Sequence, residues 1–181
     1  MKNYRLNKDD TVLIVIDFQE KLMKAMSKSE KVYKNTNLLL AAAEQMGIPV
    51  IVTEQYPKGL GATANEIKDN LKEYQYVDKM EFSAYSGLKQ ILSDAGRKTL
   101  LITGSETHVC VFQTTRDLLE DGYNVHVVKD AVCSRFKENY LNGLELMKDM
   151  GAVISNTETI LFDLLKVAGS PEFKVISPML K

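Results

Sequence analysis

Hydrophobic positions along the chain fall into two kinds of block that take turns. One kind is short, apolar and rich in β-branched residues: TVLIVI at 11–16, VIVT at 50–53, TLLIT at 99–103, NVHVVK at 124–129 and AVIS at 152–155. The first shows no strict apolar/polar alternation, so it reads as a strand buried on both faces and hence parallel to its neighbours. Tyr76, Val77 and Asp78 lead to Lys79 as a short third strand. The other kind repeats apolar positions at helical spacing. Leu38, Leu39, Ala42, Ala43 and Met46 mark a helix over 35–46, closed by Gly47 with Pro49 beyond it. Further helices are predicted over 64–73, over 85–96 with Ser83 or Ser86 as N-cap, and over 108–121 ended by Gly122. Two more follow, over 138–150 ended by Gly151 and over 156–168 behind a capping cluster. The tail 171–181 is short, helical around 172–176, and the charged stretch 28–34 reads as a solvated face.

Strands alternating with helices imply βαβ units, a parallel sheet and helices on both of its faces. Ligands bind such sheets at the carboxyl ends of the strands. Asp17, the Gly- and Pro-rich loop 54–63, Lys79, the turn 104–110 and the segment 130–135 all fall at those ends. They share one edge of the sheet although they are far apart in sequence.

Composition narrows the function classes. The 181 residues read as one domain, with 45% apolar and 26% charged residues, as in ordinary globular chains. A net charge of -1 gives no reason to expect nucleic acid or an anionic membrane as partner. The apolar run near the N-terminus is too short for a signal segment or a membrane span. Two cysteines, Cys110 and Cys133, make no disulfide framework, so a reducing cytoplasm is the expected location.

Cys110 sits just past the fourth strand, in the first turn of the helix that follows. Unpaired N–H groups and the helix dipole there are expected to favour thiolate, the attacking form. Asp17 could take the thiol proton, Lys79 could hold the Asp17 carboxylate and favour thiolate, and the turn before Cys110 could offer N–H groups to an oxyanion. Each residue also has a plainer reading. An Asp ending a strand forms turns, a lone Lys is solvated, and a Cys early in a helix is a small buried hydrophobe.

Five motifs in order carry a resemblance: V-I-D-F-Q at 15–19, G-I-P-V-I-V-T-E-Q at 47–55, K-x-x-F-S-A at 79–84, G-S-E-T-H-V-C-V at 104–111 and D-A-V-C-S-R at 130–135. Together they resemble the isochorismatase-like cysteine hydrolases, and E-Q-Y-P-K-G-L-G at 54–61 resembles the isochorismatase-domain-containing subgroup. The resemblance implies an α/β fold, a three-layer α/β/α sandwich with a six-stranded parallel sheet. It implies Asp17 as general base and acid, Lys79 as third triad member and Cys110 as nucleophile. It also implies a cis peptide between Ser105 and Glu106, with the N–H groups of Glu106 and Cys110 facing an oxyanion. Family members commonly assemble, so a homo-oligomer is expected.

Departures from the family pattern matter as well. Relatives that cleave isochorismate carry a small residue in place of the nucleophile, so Cys110 argues against literal isochorismatase activity. Nicotinamidase-like relatives place an Asp-x-His…His metal site after the second strand. Here that loop begins Gln55, Tyr56, Pro57 and has no His, so no metal and no cofactor are expected. The function expected is a cysteine hydrolase of a small amide or ureido C–N bond, working through a thioester. A binding or assembly module and a redox-sensing thiol protein on the same fold stand as alternatives.

Around the triad, Gln19 and Gln55 are candidates to hydrogen-bond a substrate amide, with Gln55 preferred. Tyr56 and Phe82 are candidate pocket walls, and Phe82 reads equally as core. His108 is expected to line the pocket or its surroundings, His126 to be structural and Cys133 to be inert. Asp130 and Arg135 are expected to form an ion pair that shapes the sheet edge.

Overall fold

The central strand explains the rest. Every residue of β1 (Thr11–Ile16) is buried, so both of its edges and both of its faces must be covered. In this computed structural model, which describes residues 4–180, β1 pairs with β2 (Val50–Gln55) on one side and β4 (Thr99–Ser105) on the other. With β3 (Gln75–Lys79), β5 (Asn124–Cys133) and β6 (Val153–Ser155) they make a six-stranded sheet in the order β3-β2-β1-β4-β5-β6, every pairing parallel.

Side chains alternate between the two faces of β1 and β4. Leu13, Val15 and Leu101 join a core closed by α2 (Ser29–Met46), α8 (Thr157–Leu165) and α9 (Pro171–Ile176). Val12, Ile14, Ile16, Leu100 and Ile102 join the opposite core. That one is closed by Leu88 and Leu92 of α5 (Tyr85–Ala95), Leu118 of α6 (Phe112–Glu120) and Met147 of α7 (Lys137–Asp149). The chain is therefore a three-layer α/β/α sandwich. Burying each such Leu, Ile or Val side chain contributes about 1.5–3 kcal/mol. The remaining helices, α1 (Glu20–Met23), α3 (Pro57–Leu60) and α4 (Asn65–Lys68), are single turns near the carboxyl end of β1 and in the β2–β3 connection. Among the described residues, no helix is long and apolar enough to cross a membrane.

Several boundaries differ from those read along the chain. The first long helix begins at Ser29, because Val32 is buried and anchors an earlier turn, while Lys31 and Lys34 keep the solvated face expected of that stretch. The helix predicted over 64–73 shrinks to α4, whose only buried side chain is Ile67. Glu54 and Gln55 extend β2 because they pair with Asp78 and Lys79. Residues 130–133 continue β5, with Val132 and Cys133 paired to Gly104 and Ser105 across a register shift. Neither serine N-caps α5: Ala84 holds that position, Ser83 Oγ accepts the Tyr85 N–H and Ser86 Oγ donates to Glu81. The last long helix stops at Leu165, where Lys166 turns to a φ of 58°. Lys181, at the end of the predicted tail, lies outside the described residues.

Candidate active site

β1 ends where its chain turns. Asp17 takes a φ of 52°, so the backbone leaves the sheet while the carboxylate stays fully buried at its carboxyl edge. Its N–H donates to the Thr53 carbonyl at 3.1 Å, and its Oδ1 accepts from Thr53 Oγ1 at 2.7 Å. Oδ2 faces Lys79 Nζ at 2.7 Å, and the Lys79 side chain, from the last position of β3, is nearly as buried as the carboxylate. The sheet order thus brings β1 and β3 together across β2.

The nucleophile candidate arrives from the other side. Near the end of β4, Gly104 takes a φ of 136° and is pressed so close to β1 that a Cβ would lie 2.2 Å from the Ile16 carbonyl oxygen. Ser105 Oγ donates to the Asp17 carbonyl at 2.8 Å, and the Ser105–Glu106 peptide is cis. The chain then forms a π turn over Thr107–Val111 in which the N–H groups of Val109 and Val111 both reach the Glu106 carbonyl. Cys110 is buried in this turn, where the Asp17 and Lys79 charges both act on its thiol. Helix α7 packs onto the turn through Gly143, where a Cβ would come within 2.9 Å of the Thr107 carbonyl oxygen.

Electrostatics at the thiol differ from the expectation of a ready-made thiolate. Burial first, and then the Asp17 carboxylate, push the Cys110 thiol up to about 12 against the pull of the Lys79 ammonium. Desolvation of a charged sulfur outweighs the helix end, which is here a π turn rather than the start of a regular α-helix. The resting site is therefore a neutral thiol beside a buried Asp17–Lys79 ion pair. Cys133 is also held up to about 12 by burial and by the Glu106 charge, and both cysteines are free.

The other candidates divide. Gln19 is fully buried: its Nε2 donates to the carbonyls of Gln55 and Gly61, and its Oε1 accepts the Gln55 N–H. Gln55 donates from Nε2 to the Met80 carbonyl and accepts at Oε1 from Lys79. Both carboxamides are thus engaged within the protein. Tyr56 and Phe82 are exposed, 47% and 55%, so Phe82 is not core. Glu54 is held by Thr63 and by the Tyr76 hydroxyl and is a structural clamp. Arg135 pairs with Glu106 at 3.2 Å, not with Asp130, which instead caps α8 through Thr157. His108 Nδ1 lies 3.1 Å from Ser134 Oγ, half-buried, and His126 is buried in β5 beside Asn124. Thr53 and Ser134 were not singled out along the chain. The only signal for Thr53 is its register opposite Ile16, one residue before Asp17.

Comparison with known proteins agrees with this architecture. The isochorismatase domain profile matches residues 11–159. A protein of Phytophthora sojae named secreted isochorismatase effector Isc1 is 42% identical over 183 residues, covering 98% of this chain and 87% of that protein. Isochorismatase domain-containing protein 2 of Xenopus laevis is 35% identical over 179 residues, covering 97% and 86%. The solved structure of MAR1 ribonuclease from Caenorhabditis elegans superposes with a TM-score of 0.92 at 36% identity, covering 97% of this chain and 92% of that one. The motifs read along the chain, the sheet order and these matches agree that the chain belongs to the isochorismatase family.

Proposed function

We propose that this protein is a cysteine hydrolase of a small amide or ureido C–N bond, with Asp17, Lys79 and Cys110 as its triad. The observation that carries the proposal is the buried Asp17–Lys79 pair, 2.7 Å apart, at the sheet edge where Ser105 ties Asp17 to the turn that bears the buried Cys110. A carboxylate paired with an ammonium beside the nucleophile turn is a general base in place. Asp17 takes the Sγ proton as sulfur attacks the substrate carbonyl carbon. The oxyanion rests on N–H groups of the 104–110 turn, those of Glu106 and Cys110 foremost. Asp17 then returns the proton to the leaving nitrogen and the C–N bond breaks, leaving a thioester. Water attacks that thioester, Asp17 takes its proton, and the thiol reforms as the acid departs. Lys79 stays a fixed positive charge throughout.

Net charge supports a small-molecule substrate. The nematode relative is named a ribonuclease, but a chain of net charge -1 has no overall excess of cations for a phosphate backbone. The same reading makes the protein a homo-oligomer of the reducing cytoplasm that needs no metal or cofactor. Met80, Phe82, Phe136 and Leu141 are large apolar side chains exposed in the single chain, which an assembly would have available to cover. Burial of the thiol disfavours a redox sensor, since sensor thiols are accessible and of low pKa. Ammonia release from a panel of small amides and ureido compounds, with rapid-quench mass spectrometry, tests the proposal. Turnover with an acyl adduct on Cys110, both absent in Cys110→Ala, is expected. Turnover retained in Cys110→Ala would overturn it.

A further inference from the structure

The Lys79 ammonium is enclosed by four oxygens. They are Asp17 Oδ2 at 2.7 Å, Gln55 Oε1 at 2.7 Å, the Phe82 carbonyl at 3.0 Å and the Glu81 carbonyl at 3.3 Å. An ammonium has three N–H donors, so all three are engaged before any substrate arrives. The three hydrogen bonds go to the Gln55 side chain and the two backbone carbonyls, and Asp17 Oδ2 faces the ammonium at ion-pair distance without a hydrogen bond.

The orientation of Gln55 is determined by its surroundings. Its Nε2 donates to the Met80 carbonyl at 2.8 Å. A flipped amide would set NH2 against an ammonium and oxygen against a carbonyl. The backbone of Gln55 is held in turn. β2 runs two residues past Thr53, its last residue paired to β1, because Asp17 turns out of the sheet. At that vacated edge the Gln19 carboxamide stands in for a strand. Its Oε1 accepts the Gln55 N–H at 2.7 Å, and its Nε2 donates to the Gln55 carbonyl at 2.9 Å and the Gly61 carbonyl at 2.7 Å.

We infer that Gln55 is a positioning residue of the triad: backed by Gln19, it fixes the Lys79 ammonium against Asp17 and so sets how readily Cys110 ionises. Gln55 acts through Lys79 and touches no substrate. This inference rests on the triad proposed above, and the experiment separates the two.

Iodoacetamide labelling of Cys110 is followed by mass spectrometry against pH in the wild type, Lys79→Met, Gln55→Met and Gln55→Glu, with circular dichroism as the check on folding. Lys79→Met is expected to move the labelling profile to higher pH, since it removes the one charge that pulls the thiol down. Gln55→Met is expected to move it the same way by about one unit, or about tenfold slower labelling at a fixed pH below the midpoint. Cys133 labelling should be unchanged. If Lys79→Met leaves the profile in place, the triad reading itself falls. If Lys79→Met shifts it and folded Gln55→Met does not, only the role of Gln55 falls. Should Gln55→Met not fold, Gln55→Glu decides. It keeps the shape and the acceptor but adds a negative charge beside Lys79, so an unshifted profile overturns the inference.

Discussion

Asp17 Oδ2 and Lys79 Nζ lie 2.7 Å apart where neither side chain meets solvent to any useful extent. Removing one partner of such a pair leaves an uncompensated buried charge and costs about 3–5 kcal/mol, whereas replacing both can be nearly neutral. Lys79→Met and Asp17→Asn are each expected to lose about 3 kcal/mol or more in urea unfolding. The double variant Asp17→Asn/Lys79→Met should recover most of that loss while remaining inactive. Additive losses in the double variant would show that the two charges are not coupled.

Thr53 gives the carboxylate its second anchor, through Oγ1 to Asp17 Oδ1 at 2.7 Å. Thr53→Val keeps the shape and β-branching and removes the hydroxyl. A hydrogen bond to a charged group contributes about 1.5–3 kcal/mol, and that loss should appear in unfolding. Turnover should fall through kcat with KM nearly unchanged, because the base is less well held and no substrate contact is lost.

Gly143 lets α7 reach the nucleophile turn. An added Cβ would meet the Thr107 carbonyl oxygen at 2.9 Å and the His108 Cα and N at 3.0 Å, all backbone atoms that cannot rotate away. Gly143→Ala is therefore expected to displace the turn that carries Cys110. Alanine is otherwise the better helix former by roughly 1 kcal/mol. The stability change should thus be modest and the loss of turnover large, a combination read by thermal unfolding and kinetics on one sample.

Alkaline pH should destabilise the protein through its cysteines. Cys110 and Cys133 are both raised to about 12 by burial, above the unfolded value near 8.5. A group raised in the folded state contributes stability that is complete below its unfolded pKa. That stability is lost as pH climbs through the folded value. Between about pH 9 and 12 each buried thiol should therefore remove up to ~1.4 kcal/mol per pH unit. Cys133→Ala should flatten the fall of Tm over this window relative to the wild type, and an unchanged slope would remove Cys133 from the account.

The strands, their parallel arrangement and the sheet edge that bears Asp17, Lys79 and Cys110 were legible along the chain, because they follow from local properties. Short β-branched runs cannot persist as helices without cost. Glycines end helices where φ must be positive, and alternating elements leave few topologies open. The helix ends just before Gly47 and Gly96 fall where the chain itself marks them. What each polar side chain does was decided by partners distant in sequence. Gln19 and Gln55 form a hydrogen-bonded array behind Lys79, because Asp17 turns away and leaves a strand edge to be filled. Arg135 chose Glu106 over Asp130 because β5 runs on to pair with Ser105. The thiol was expected to ionise at a helix end, and burial between two packed layers raised it instead. Hydrogen-bond partners and desolvation are sums over everything nearby in space, which local sequence does not contain.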